Sequence, residues 1–279
     1  MRRILTLTTL FVGLSLSARK PVTPRISIFA DHISTIAQQE NISFREAAQR
    51  VKALGYSGID VRITINPEEM QVLDELEFEH ASAIVDINYI KGDQTELENR
   101  ALAFMKQHEF PRVLVVPGLH PQEGSEQFLE NVLHGMDAFS RKGYQAGLEV
   151  MVEDYDNPRS PCYNTEALDR MFKSAKRLGH TFDTGNYLYC GEDILQALKH
   201  FRKRIKHVHL KDRVALHDGK SPAVGTGLIP LQDVISQLVK HGYEGWFCVE
   251  HFGSPHMLKD AETSIRNVLS VYDSLNRGN

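Results

Sequence analysis

Eight short apolar runs recur along this chain at a near-constant interval, and helical patterns lie between them. The runs cover residues 26–30, 58–62, 84–88, 113–117, 147–151, 180–183, 206–210 and 246–250. From Ile26 to Trp246 the step averages about 31 residues, room for a strand, two loops and a helix. Phe44, Ala47, Ala48, Val51 and Leu54 share one helical face behind Ser43-Phe44-Arg45-Glu46, a capping box. Leu168, Met171, Phe172, Ala175 and Leu178 form a second stripe that Gly179 would end. Leu231, Val234, Ile235 and Leu238 form a third, and Ile265, Val268, Leu269, Tyr272 and Leu275 a fourth. Residues 94–108, 125–140 and 192–203 read as helices with less regular stripes, and the acidic 67–80 as room for only a short one. Eight strand–helix units predict one α/β domain over 25–279, a single (β/α)8 TIM barrel. An open doubly wound sheet would carry a glycine-rich turn after its first strand, and Asp31-His32-Ile33-Ser34 stands there instead.

Residues 1–24 read as a leader. Met1-Arg2-Arg3 is basic, residues 4–16 carry no charge, and Ser15-Leu16-Ser17 offers small residues where a signal peptidase cuts. The apolar run is too short for a stable membrane span. Export to the periplasm or the extracellular space is therefore expected, with a cytoplasmic enzyme as the alternative if the segment is retained. A net charge of −4 gives no basic surplus for holding nucleic acid through its phosphates. Three cysteines without a CxxC pair provide neither a disulfide framework nor a structural zinc knot.

In a barrel of this kind the chemistry sits at the carboxyl ends of the strands. Read that way, the fifth strand offers Glu149, the sixth Asp183, the seventh His209 and the eighth Glu250. Alternation along the seventh strand turns Val208 and Leu210 outward and His207, His209 and Lys211 inward. Three carboxylates side by side are unfavourable unless a cation compensates them. With one imidazole they make a site for a single divalent ion, manganese, magnesium, cobalt or zinc.

These motifs resemble the xylose-isomerase-like barrel superfamily, also called the sugar phosphate isomerase/epimerase family. Gly147-Leu148-Glu149, Phe182-Asp183-Thr184-Gly185-Asn186 and His207-Val208-His209-Leu210-Lys211-Asp212 carry the resemblance. So do Gly225-Thr226-Gly227 with Pro230, Gly242-Tyr243-Glu244-Gly245 with Glu250, and Leu54-Gly55-Tyr56-Ser57-Gly58-Ile59-Asp60. The resemblance implies a divalent metal on Glu149, Asp183, His209 and Glu250. It implies an isomerase or epimerase of a ketose or related polyol, working by proton transfer through a metal-stabilised enediolate. Glu149 and Glu250 would be the proton-transfer pair. Lys211 is read from its inward parity, one step above His209, as a catalytic cation that neutralises an oxyanion or pairs with Glu250. A dehydratase or lyase acting on a keto-sugar or keto-inositol would share the first step, and a sugar-binding barrel without turnover is a third reading.

Two positions depart from the ketose epimerases. Asn186 stands where they have a substrate-binding histidine, and Ala215 where they have an arginine. Asn186, His120, His32, Arg62 and His251 are offered as substrate contacts, with Asn88 beside them. Gly225-Thr226-Gly227 is read as a turn into the helix near Pro230, not as a phosphate loop. The expected partner is a small sugar or keto-sugar, and a homo-oligomer is compatible with the sequence. If the leader is cleaved, a free sugar, an oxidised sugar or a glycoside fits better than a phosphorylated one.

Overall fold

The computed structural model describes residues 23–120 and 126–277. The leader read over 1–24 therefore lies almost wholly outside the described residues. Eight parallel strands close on one another in sequence order. They are β1 (Arg25–Phe29), β2 (Gly58–Arg62), β3 (Glu79–Asp86), β4 (Arg112–Val116), β5 (Glu149–Glu153), β6 (Gly179–Asp183), β7 (Ile205–Lys211) and β8 (Trp246–Glu250). The helices are α1 (Ala30–Glu40), α2 (Phe44–Ala53), α3 (Pro67–Glu75), α4 (Thr95–Gln107), α5 (Glu126–Gln145), α6 (Thr165–Ser174), α7 (Thr184–Tyr189), α8 (Ile194–Phe201), α9 (Leu231–Lys240) and α10 (Met257–Arg277). This is the (β/α)8 barrel that the alternation predicts.

The strand period sorts the side chains into two layers. Ile28, Ile59, Val61, Val113, Val115, Val150, Val152, Val208, Leu210 and Val249 face outward into the main core beneath the helices. The inward set is mixed. Ile84, Leu114 and Met151, with Phe29 and Val116 packed on them, form a small apolar plug. Below the mouth the buried polar residues Ser27, Asp60, Thr181 and His207 fill the rest. A polar interior is stable only where its groups find partners, and Ser27 and His207 both bond Asp60.

Side-chain caps account for five of the helix starts among the described residues. Ser43 Oγ accepts the Glu46 N–H, as the capping box predicts, and Asn66 caps α3 with Pro67 in its first turn. Two expectations are corrected. The sixth helix stops at Ser174, so Ala175 and Leu178 belong to the linker and Gly179 opens β6. The fifth strand runs over 149–153 and not 147–151, because Gly147 takes a positive φ of 76° and turns the chain before the strand begins.

At the floor of the barrel Gly58 lies under Trp246. A Cβ at residue 58 would stand 2.3 Å from the indole ring, which is fully buried and capped by the Arg25 guanidinium. Gly58→Ala is expected to destabilise the protein by about 1–3 kcal/mol through overpacking, read as a lowered midpoint in thermal unfolding. An unchanged midpoint would mean that the indole moves aside freely.

Candidate active site

Strand register sets the site. β6 pairs with β7 so that Asp183 lies beside His209, and β7 pairs with β8 so that Lys211 lies beside Glu250. The carboxyl end of β5 brings Glu153 to the same ring. His209 Nδ1 is 2.5 Å from Glu153 Oε1, 3.2 Å from Glu250 Oε2 and 4.0 Å from Asp183 Oδ2. Lys211 Nζ is 2.6 Å from Glu250 Oε1 and 3.0 Å from Asp183 Oδ2, and it donates to Asn186 Oδ1 at 3.2 Å.

Glu149, the residue expected to complete this ring, is not there. It begins β5 at the opposite, amino-terminal edge, 33% exposed and 3.6 Å from Lys206. Glu149 and Glu153 share the inward parity, but four residues of strand separate them by about 13 Å. Glu153 stands in the ring where Glu149 was expected. The sequence carried a signal for it, since Glu153-Asp154 ends the apolar run Val150-Met151-Val152.

Asp183 divides its two oxygens between tasks. Oδ1 accepts the Gly185 and Asn186 N–H groups and so caps α7, while Oδ2 is turned to the site, where it meets the Lys211 ammonium at 3.0 Å. Gly185 is required there, because a Cβ would meet Lys211 Cγ at 2.7 Å. Asp154 braces the same strand end by accepting the Asp183 N–H.

Charge decides how this cluster behaves. Burial raises Asp183 to about 8, Glu250 adding to the push and Lys211 opposing it. Burial would also raise Glu250, but Lys211 and His209 outweigh it and hold that carboxyl well below the usual range. Burial would lower His209 and Lys211. Glu153 reverses the trend for His209, and Asp183 with Glu250 reverses it for Lys211, so both stay cationic. The pattern is that of carboxylates gathered around a place for positive charge.

One donor atom from each of Glu153, Asp183, His209 and Glu250 lies within 4.8 Å of all the others. Twice a metal–ligand bond of about 2.0–2.4 Å spans that separation. The three-carboxylate, one-imidazole donor set at this spacing therefore fits a divalent ion, which these four side chains would hold.

Asp60 stands behind the histidine. It accepts Ser27 Oγ–H on one oxygen and His207 Nε2–H on the other, both at 2.7 Å, and the latter oxygen is 3.8 Å from His209 Nε2. His209 thus turns Nε2 toward Asp60, beyond hydrogen-bond distance, and Nδ1 toward the ring of carboxylates.

A cavity of about 520 Å³ opens above the ring, lined among others by Phe29, His32, Arg62, Tyr155, Asn186 and His251. Of the residues offered as substrate contacts, His32, Arg62, Asn186 and His251 therefore line it. His120 does not: its ring meets Phe128, and it lines a separate hollow beside Arg159 and Arg170. Asn88 packs against Gly118 and is absent from the described lining. Asp212 gathers the N–H groups of Arg213, Gly225, Gly227 and Ile229, so the glycine pair is a turn into α9, as expected.

Residues 48–274 match the family described as "Xylose isomerase-like TIM barrel", and the chain belongs to that family. It is 32% identical over 160 residues to an inosose dehydratase of Geobacillus thermodenitrificans, covering 51% of this chain and 53% of that one. It is 28% identical over 145 residues to a putative hydroxypyruvate isomerase of Streptomyces coelicolor, covering 49% of each. The chain thus spans about half the length of these curated relatives. The crystal structure of a D-allulose 3-epimerase from Methylomonas sp. in complex with D-allulose superposes with a TM-score of 0.71, 14% identity, and coverage of 89% of this chain and 97% of that one.

Alanine at residue 153 should cost at least tenfold in manganese affinity by calorimetry, while Glu149→Ala leaves it unchanged. Asp60→Asn, which loosens the support behind His209, should weaken binding by about 10- to 100-fold. Equal losses at 149 and 153 would contradict the assignment.

Proposed function

We propose that the protein is a divalent-metal-dependent isomerase or epimerase of an uncharged ketose or keto-sugar. The observation that supports it best is the convergence of Glu153, Asp183, His209 and Glu250 under the cavity, with Lys211 between two of the carboxylates. A bound divalent ion would polarise a substrate carbonyl and acidify the neighbouring C–H. Glu153 on β5 and Glu250 on β8 then form the proton-transfer pair: one carboxylate takes the proton from carbon and the other returns one. Lys211 supplies the fixed positive charge that keeps Glu250 ionised.

The cavity walls favour an uncharged ligand. Among its described lining residues, Arg62 is paired with Asp31 and Asp86. Arg213 is spent on Asp156, Asn186 and the Gly185, Asp218 and Gly219 carbonyls. No lysine or arginine of that lining stands unpaired to receive a phosphate. The leader over 1–24 fits the same picture as an export signal, which the amino-terminal mass of the protein from cells tests directly.

A dehydratase is the second reading, supported by the inosose dehydratase similarity and by Lys211. β-Elimination moves a proton from the α-carbon to a carboxylate, forms C=C and breaks C–O. The buried Lys211 ammonium can protonate the departing hydroxyl to water.

Metal-loaded protein incubated with a panel of ketoses and keto-inositols in deuterated water separates the two. Deuterium incorporation with a new isomer supports the first reading, and loss of water the second. Neither change across the panel overturns both. Glu250→Gln should keep metal and lose about 100- to 10,000-fold in rate, and Lys211→Met should keep metal and lose turnover. A Glu250→Gln enzyme at the wild-type rate would reduce Glu250 to a ligand.

A further inference from the structure

His32 sits in the first turn of α1, beside the carboxyl end of β8. Its Nε2 accepts the backbone N–H of His251 at 2.9 Å. A backbone N–H cannot accept in return, so Nε2 carries a lone pair and the proton of the neutral ring is on Nδ1. A second proton has no place on Nε2 without opposing that N–H. Burial and the neighbouring His251 push the ring down to about 3, so it stays neutral. Phe29 and His251 pack on it with ring centroids at 5.3 and 6.0 Å. His251 is itself held, its Nε2 meeting Ser264 Oγ at 3.2 Å. His32 lines the cavity together with Glu250, and among the described residues the hydrogen bond found for its ring is the one from His251 to Nε2.

We infer that His32 is a neutral, tautomer-locked hydrogen-bond donor whose Nδ1–H fixes an acceptor oxygen, hydroxyl or carbonyl, of the ligand on the β1–β8 side of the cavity. The sugar identity of that ligand rests on the reading above. The lock serves specificity. A histidine free to exchange tautomers could donate to or accept from a ligand hydroxyl, whereas His32 only donates.

Two substitutions separate recognition from a structural tie across the barrel seam. The Gln amide oxygen can replace Nε2 and keep the bond to His251 but offers nothing at the Nδ1 position. The Asn amide nitrogen can replace Nδ1 and keep the donor while losing the tie. In zinc-loaded protein labelled with 15N-histidine, long-range proton–nitrogen spectra should show His32 protonated at Nδ1 and bare at Nε2 before any ligand is added. D-allulose should shift the Nδ1–H. His32→Asn should bind it nearly as wild type, and His32→Gln should bind about tenfold more weakly, the loss of one neutral hydrogen bond. A proton on Nε2, or His32→Gln binding like wild type while His32→Asn weakens, overturns the inference. Wild-type protein that binds neither D-allulose nor any ketose overturns the sugar reading instead, and the tautomer of the free protein is decided independently.

Discussion

Glu153, Asp183 and Glu250 bring three carboxylates together at the carboxyl end of a barrel, and their mutual repulsion has to be met by positive charge. β7 meets it. His209 and Lys211 rise from alternate positions of that strand and stay cationic because the acids surround them. The supports converge on the same strand. Asp60 and His207 stand beneath His209, Gly185 makes room for the Lys211 stem, and Asp183 is oriented by the turn it caps. A divalent ion in the ring would supply the same compensation with a fixed geometry, so Lys211 could serve substrate instead of carboxylates.

The departures from the ketose epimerases acquire a structural meaning. Asn186 donates to the Asp154 carbonyl and accepts from Lys211 and Arg213, so on α7 it is a brace between the ends of β5 and β7 rather than a proton carrier. Arg213 is not a displaced substrate arginine. It is buried and fully bonded, and it pins the chain at Asp218 and Gly219 beside the mouth. Both residues stiffen the wall that carries Lys211, and His32, Arg62, Tyr155 and His251 line the rest of the rim.

The barrel was legible in the sequence because strand and helix periods differ and recur eight times. Asp183, His209, Lys211 and Glu250 were legible because each is polar at the end of an apolar strand. Glu149 was not where the pattern suggested, since a strand's start and its end look alike when two glutamates of one parity flank the same apolar run. Only pairing settles that: Glu149 is opposite Arg112 at the start of β4. Asp60 sat inside a motif without marking itself as a support, and α7 was too short to show a stripe. His120 was a polar residue after a strand, and what separates it from the cavity is that its ring packs on Phe128 beside another hollow.

The claim on which the rest depends is that one divalent ion binds at the carboxyl end of β5 to β8. Anomalous diffraction from crystals grown with manganese tests it most directly. A single strong peak is expected at about 2.0–2.4 Å from oxygens of Glu153, Asp183 and Glu250 and from His209 Nδ1, with Lys211 Nζ drawn away from Asp183. A peak beside Glu149 and Lys206, or no peak with Lys211 still lodged between Asp183 and Glu250, would contradict it.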